Sequence, residues 1–184
     1  MSTKQPTIAP AEGKLGVLTV GLGAVASTLI AGVELAKRGL GAPIGSLTQM
    51  DTIRLGKRTD GRNPMIKDFV PLARIEDIVW GSWDPFPDDA YVAAQRAGVL
   101  ESGKHLEAIS DALRDVRPMK AAFERNYVKN IDADNTMGKI SKREMLNGIR
   151  ADINKFKDEK KVDRLVMIWC ASTEINIEQG PQHE

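Results

Sequence analysis

The segment from Lys14 to Arg38, KLGVLTVGLGAVASTLIAGVELAKR, leaves the chain little freedom in how its fold begins. Leu15 to Val20 is an apolar run rich in β-branched residues and of strand length. Gly21, Gly23 and Ala26 follow in the pattern G-x-G-x-x-A, and an amphipathic helix is expected next, with Leu29, Val33 and Ala36 on one face. Lys37 and Arg38 form a basic last turn, and Gly39 is a suitable residue just past its end. Each small residue has a physical task in a strand–turn–helix unit. The first glycine permits the tight turn, the second lets a pyrophosphate approach the backbone, and a small third residue lets helix pack on strand. Unpaired N–H groups opening the helix, with the Ser27 and Thr28 hydroxyls nearby, then face the anion. The unit points to a bound dinucleotide; the competing reading is a strand-to-helix turn that holds no ligand.

The length of 184 residues suits a single domain. Lys and Arg number 26 against 25 Asp and Glu, a formal charge of +1, which argues against nucleic acid or a membrane surface as a partner recruited by bulk charge. The single cysteine, Cys170, excludes an internal disulfide framework and suits a reducing compartment. Residues 1–13 are polar, contain Pro6 and Pro10, and lack an apolar signal-peptide core, so they read as a flexible tail. No apolar run approaches the roughly 20 residues of a membrane span. The expectation is a cytoplasmic α/β protein whose residues 14–184 form one domain.

After the first helix, Gly39 to Pro71 has no clean period and carries the turn signals Asp60-Gly61 and Asn63-Pro64. Irregular segments of this length are usually functional or mobile. Asp77 to Asp84 reads as a second strand ending on an acid, and Asp88 or Asp89 is placed to cap a helix running to Ala97 and closed by Gly98. Leu106, Ile109, Leu113 and Val116 predict one further amphipathic helix, halted before Pro118. Ser141 to Glu144 has the form of a capping box, and the stripe Met145, Ile149, Ile153, Phe156 behind it predicts a helix packed on a sheet. Leu165 to Ala171 is a continuous apolar run, as expected of a central parallel strand buried on both faces. Strands alternating with helices predict a Rossmann-like, doubly wound parallel sheet flanked by helices.

Ligands of such sheets bind beyond the carboxyl ends of the strands. Gly21 to Thr28, Ser82 to Asp84 and Ser172 to Glu174 thereby become candidates together. An acid at the end of the second strand accepts the ribose hydroxyls in this fold, normally about 20 residues past the glycines, and here Asp84 stands about 60 residues on because the irregular segment intervenes. Asp84 either holds a ribose, and then prefers NAD over NADP, or caps the following helix. Ala171, Ser172 and Thr173 either let a cofactor ribose or nicotinamide lie close or form a plain turn. Other signals fail. Asp132-x-Asp134-x-Thr136 resembles a calcium loop, but Gly138 falls one place late, so a surface turn is the reading. His105 and His183 lack partners at metal-ligand spacing, so no metal site is expected. Trp80, Trp83 and Trp169 are expected in packing roles.

Several segments together resemble the NAD-dependent myo-inositol-1-phosphate synthases (inositol-3-phosphate synthases). The glycine turn with Ser27-Thr28-Leu29 resembles the family's G-x-G…ST-L fingerprint, and Gly45-Ser46-Leu47-Thr48-Gln49 with Thr52 and Leu55-Gly56 resembles G-S-x-T-Q…T…L-G. Ser82-Trp83-Asp84, continuing to Ala94-Gln95-Arg96 and Val99-Leu100-Glu101, resembles G-W-D…A-x-x-R…V-L-x. Ile149-Arg150-x-Asp152-Ile153-x-x-Phe156-Lys157 and Trp169-Cys170-Ala171-Ser172-Thr173-Glu174 resemble I-R-x-D-I-x-x-F-K and W-T-A-N-T-E. The glycine turn has the shorter, prokaryotic form, and Cys170 and Ser172 stand where the family pattern has threonine and asparagine.

The resemblance implies an isomerase (an intramolecular lyase). It would convert D-glucose 6-phosphate to 1D-myo-inositol 3-phosphate by internal oxidation with NAD, enolisation, aldol cyclisation and reduction. It implies Gly21, Gly23, Ala24, Val25, Ala26 and Ser27 around the NAD pyrophosphate, Asp84 on the adenosine ribose, and Ala171, Ser172 and Thr173 near the cofactor. It further implies that the lysine-rich catalytic region and the oligomer-forming sheet of the family lie downstream of these motifs. The chain is thus expected to be the NAD-binding portion, with no catalytic residue of its own, inactive alone and part of a homo-oligomer at full length. The alternative is a stand-alone dinucleotide-binding or regulatory module.

Overall fold

In a computed structural model the chain is described for residues 12–98, 100, 103–124, 128 and 131–171. The elements run β1 (Leu15–Val20), α1 (Ala24–Lys37), α2 (Leu47–Met50), α3 (Ile66–Phe69), β2 (Ile78–Asp84), α4 (Ala90–Ala97), α5 (Gly103–Ala108), α6 (Ser110–Asp115), β3 (Pro118–Lys120), α7 (Lys142–Lys160) and β4 (Arg164–Trp169). The β-branched run at Leu15–Val20 becomes the hub of a four-stranded sheet of order β3-β2-β1-β4. Every pairing is parallel: Leu15 to Val20 register against Ile78 to Trp83 on one side and against Arg164 to Trp169 on the other. This is the α/β, Rossmann-like architecture expected, and its order matches the first strands of the doubly wound 3-2-1-4 pattern.

Alternation along β1 sends Val17 and Leu18 to opposite faces, and each face is covered by helices. Val17 and Trp80 pack with Ile30, Ala31 and Leu35 of α1, Tyr91 and Ala94 of α4, and Leu106, Ile109 and Leu113. On the other face Leu18 and Trp83 meet Phe156 of α7 and Val162. The Phe156 ring lies in a hollow left by two glycines: a Cβ at Gly16 would stand 2.8 Å from it, and one at Gly81 likewise 2.8 Å. The capping box forms as read, with the Ser141 hydroxyl accepting from the Glu144 N–H at 3.2 Å and the Glu144 carboxylate accepting from the Ser141 N–H at 2.8 Å. Asp89 caps α4 through the Val92 N–H at 3.0 Å, and Gly98 closes it at φ +62°. Gly39, at φ +67°, ends α1 as expected, with Gly39 N–H donating to Ala36 O and Leu40 N–H to Leu35 O.

Several expectations are corrected. Helix α1 buries Ala26, Ser27, Ile30, Ala31, Glu34 and Leu35, whereas Leu29 is exposed and Val33 and Ala36 are only half-buried. Nine of its fourteen residues are apolar and lie all round the helix, so periodicity does not choose the face; the buried face packs Ile30, Ala31 and Leu35 into the core and adds a hydrogen-bond network. Glu34 accepts from Trp80 Nε1 at 2.8 Å and from Lys37 Nζ at 2.6 Å, and Lys37 also donates to Ile78 O at 2.6 Å. The helix expected over Leu106 to Val116 is broken at Ile109 (φ −119°, ψ 11°) into α5 and α6, though all four stripe residues are buried. Strand β3 carries no strand signal in the sequence, being three residues long and opening on a proline. Strand β4 is not buried on both faces: Val166, Met167 and Trp169 are 47%, 52% and 75% exposed. Among the described residues it pairs with β1 alone, so one edge and much of each face lack a neighbour.

Between α1 and β2 the irregular segment makes a small excursion. It contains α2, α3 and an antiparallel bridge between Thr52 and Met65, and it turns at Gly61 (φ +64°). Residues 1–11 of the expected tail and residues 172–184 lie outside the described residues. No helix among the described residues is long and apolar enough to cross a membrane.

Candidate functional site

The carboxyl ends of β1, β2, β3 and β4 open onto one cleft of about 990 Å³. Gly21, Leu22, Gly23 and Ala24 form its floor, Asp84, Pro85, Phe86 and Arg96 one wall, and Trp169, Cys170 and Ala171 another. The volume is of the size usual for bound small molecules.

Gly21 is required twice over. Its φ of +100° is left-handed, and a Cβ there would stand 2.9 Å from the Ala171 amide nitrogen, so the turn and the end of β4 lie in contact. Gly21 N–H donates to Trp83 O and Cys170 N–H to Val20 O, both at 2.8 Å, which carries the sheet ladder to the lip of the cleft. Gly23 is different. Its φ is −80° and a Cβ would meet nothing within 4 Å among the described residues, so its bareness serves no packing among them. It is the N-cap of α1, where no side chain caps the helix and the first turn holds no acid. Ser27 N–H, donating to Gly23 O at 3.0 Å, makes the first intrahelical bond, which leaves the preceding turn open toward an anion.

Asp84 reaches back to this turn. Its Oδ2 accepts from Leu22 N–H at 2.6 Å and its Oδ1 from Phe86 N–H at 2.9 Å. It does not cap the next helix, a task performed by Asp89. Each carboxylate oxygen retains acceptor capacity on the cleft side. Below it the Thr19 and Ser82 hydroxyls pair across β1 and β2 at 2.9 Å, fully buried, so within Ser82 to Asp84 the hydroxyl serves the sheet and the acid serves the cleft. Trp83 lines the cleft while its Nε1 donates to Asp152 of α7 at 2.9 Å.

Of the residues singled out in the sequence, Gly21, Gly23, Ala24, Asp84 and Ala171 line this cleft together. Ala26 is fully buried under the turn against the core. Val25 points outward, 63% exposed. The Ser27 hydroxyl turns into its own helix, donating to Gly23 O at 2.9 Å, and Thr28 does the same toward Ala24 O at 2.6 Å. Ser172 and Thr173 lie outside the described residues. Burial pushes the Cys170 thiol up, so it is a neutral wall of the cleft. Sequence reasoning missed Phe86, a 42% exposed ring on the lip, and the Arg96–Asp88 ion pair at 2.8 Å beside it. The dipeptide following the Asp84 acid and the A-x-x-R spacing were the available signals.

A parallel sheet, a bare glycine turn running into an uncapped helix, and a carboxylate at the end of the adjoining strand define a dinucleotide-binding α/β domain. The family model described as myo-inositol-1-phosphate synthase matches residues 15–184. The chain belongs to that family and corresponds to its NAD-binding portion. It is 44% identical over 177 residues to "Inositol-3-phosphate synthase 1" of Bacteroides thetaiotaomicron, covering 96% of this chain and 40% of that protein. It is 34% identical over 195 residues to the inositol-3-phosphate synthase of Candida glabrata, covering 91% of this chain and 36% of the other. Among solved structures it is similar to inositol-3-phosphate synthase from Caenorhabditis elegans, with a TM-score of 0.76 at 27% identity over 88% of this chain and 35% of that one. The chain thus spans well under half the length of the relatives it matches.

Proposed function

We propose that the chain binds NAD in the cleft above β1 and β2 and serves as the cofactor-binding part of an inositol-3-phosphate synthase. The observation that carries this reading is the pairing of Gly23, whose missing side chain leaves open space at the helix start, with a carboxylate on the neighbouring strand. The pyrophosphate would rest on the amides of Gly23, Ala24, Val25 and Ala26, beside Gly21, and Asp84 would accept from the adenosine ribose. A 2′-phosphate would meet the Asp84 charge, which favours NAD over NADP. Ala171, with Ser172 and Thr173 after it, would flank the cofactor on the β4 side.

When bound by the glycine turn and Asp84, NAD would supply a reversible hydride acceptor for the internal oxidation and reduction that relate D-glucose 6-phosphate to 1D-myo-inositol 3-phosphate. This chain's own part is to orient the cofactor through the glycine turn and Asp84 and to wall the cleft with Trp83, Cys170 and Trp169. Among the described residues the cleft lining carries Arg96 as its one cation, whereas stabilising an enolate needs preorganised positive charge. We assign that chemistry, and homo-oligomer assembly, to polypeptide of the kind that makes up the rest of the relatives' length. A cytoplasmic setting agrees with the unpaired Cys170.

The test is calorimetric titration of the 184-residue chain with NAD and with NADP, followed by incubation with NAD and D-glucose 6-phosphate. Binding of NAD in preference to NADP, no inositol phosphate and no net NADH are expected. Absence of NAD binding overturns the reading, and sustained NADH release points instead to an ordinary dehydrogenase.

A further inference from the structure

We propose that Asn135 is a positioning residue for the cofactor cleft, fastening the carboxyl ends of β2 and β3 to each other and so fixing where Asp84 and the Ala121–Glu124 wall stand. The proposal rests on reading the cleft as the NAD site. It starts from a deficit in the backbone. Pro85 follows Asp84, and β3 opens on Pro118; neither residue has an N–H to donate, so the ladder between β2 and β3 cannot be extended in the usual way. The carbonyls there need donors from elsewhere.

Asn135 supplies them from a segment returning past the edge of the sheet. Its backbone N–H donates to Pro85 O at 3.0 Å, while its own carbonyl accepts from Ala121 N–H at 3.0 Å. Met137 N–H then donates to Ala121 O at 3.0 Å, closing a parallel bridge between Ala121 and Thr136. The side chain completes the clamp: Nδ2 lies 2.9 Å from Asp84 O, 3.1 Å from Met119 O and 3.4 Å from Pro118 O. An amide nitrogen carries two protons, so the two nearest acceptors, one on each strand, are served directly. The surrounding carbonyls admit only the orientation that points Nδ2 at them.

Asn135 does not line the cleft, but three of its partners, Asp84, Pro85 and Ala121, do. With the Asp84 carbonyl and the following Pro85 carbonyl both held, the Asp84 carboxylate is kept on the Leu22 and Phe86 amides. Asp134 and Asp132 beside it are exposed. An aspartate at 135 would keep the shape and replace two donors by acceptors facing carbonyl oxygens.

The experiment uses the full 184-residue chain carrying Asn135→Asp, Asn135→Ala or the milder Asn135→Ser, which retains one donor. NAD affinity is measured by calorimetry well below the unfolding midpoint, and the Leu22 and Phe86 amide resonances and their hydrogen exchange are followed without ligand. Asn135→Asp and Asn135→Ala are expected to weaken NAD about tenfold, on the scale of one lost hydrogen bond, with Asn135→Ser between them and wild type. The Leu22 and Phe86 amides should shift and exchange faster while amides of α7 do not. Unchanged Leu22 and Phe86 amides overturn the proposal, as does acceleration spread equally over every strand and helix. If the unsubstituted chain fails to bind NAD, the cofactor reading falls, and the ligand-free amides still decide for or against the clamp.

Discussion

The backbone N–H of Leu22 donates to the carboxylate of Asp84 at 2.6 Å, across 62 positions of sequence. The bond ties the turn leaving β1 to the end of β2, so the same acid that would hold a ribose also sets the turn that would hold the phosphates. Binding and local order are therefore coupled at this one side chain. Asp84→Ala removes both charge-assisted backbone bonds and should cost about 1.5–3 kcal/mol of stability for each bond left unmade. NAD affinity should fall at least about tenfold, a loss of about 1.4 kcal/mol. Asp84→Asn, which keeps one acceptor oxygen, should fall between. Calorimetry showing unaltered affinity in Asp84→Ala rejects the ribose assignment.

The two glycines of the turn should separate folding from binding. Gly21→Ala forces a side chain into φ +100° and to 2.9 Å from the Ala171 amide, so it should destabilise the apo chain by about 1–3 kcal/mol. Gly23→Ala meets nothing within 4 Å among the described residues at an ordinary φ of −80°, and should leave apo stability within about 1 kcal/mol of wild type. A pyrophosphate brought onto the bare backbone would collide with that methyl group, so NAD binding should drop while the chain stays folded. Thermal melts with and without NAD read both quantities. Retention of full affinity by Gly23→Ala places the pyrophosphate elsewhere.

Acid should act on the start of α7. The Ser141 hydroxyl and then the Ser141 backbone N–H hold the Glu144 carboxyl below its ordinary value of 4.5. A depressed folded-state pKa means the capping contribution is complete above pH 4.5 and is lost as pH falls through the lower value reached in the folded chain. Fraying of α7 should appear in that acidic window in the wild type. In Glu144→Gln it should show no dependence on pH over the same range. Helix circular dichroism between neutral and strongly acid pH, compared for the two chains, checks this; identical profiles reject it.

The outer side of β4 should make the 184-residue chain self-associate. Val166, Met167 and Trp169 present apolar surface beside a strand edge with no described neighbour. Size-exclusion chromatography should show apparent mass rising with concentration. Met167→Lys combined with Trp169→Lys should reduce the effect by placing charge on that edge. A monomer of constant elution volume across concentrations contradicts the expectation.

Much of this molecule is legible in local chemistry. The β-branched run at Leu15–Val20, the glycine turn, the Asp89 cap and the capping box at Ser141 each depend on residues within a few positions of one another, and each formed where it was read. The break at Ile109 and strand β3 escaped because three or six residues carry too little periodicity to declare themselves. Both have partners far away in the chain: Arg38 donates to Ala108 O and to Asp111 on either side of the break, and Pro118 to Lys120 pair with Ser82 to Asp84. The buried face of α1 escapes local pattern for the same reason, since its contacts, the Glu34–Trp80 bond among them, lie as far as 46 positions away.

The sequence by itself determined the class of fold and the place of the glycine turn, and it marked Asp84 as an acid ending the next strand, because backbone conformation and hydrophobic period are properties of neighbouring residues. Only the tertiary structure decided that Leu22 donates to Asp84, that the Ser27 hydroxyl turns away from the cleft, and that Asn135 closes the ends of β2 and β3. Those facts depend on which unpaired donors and acceptors the folded sheet brings within 3 Å or so of one another, and no local pattern encodes that distance.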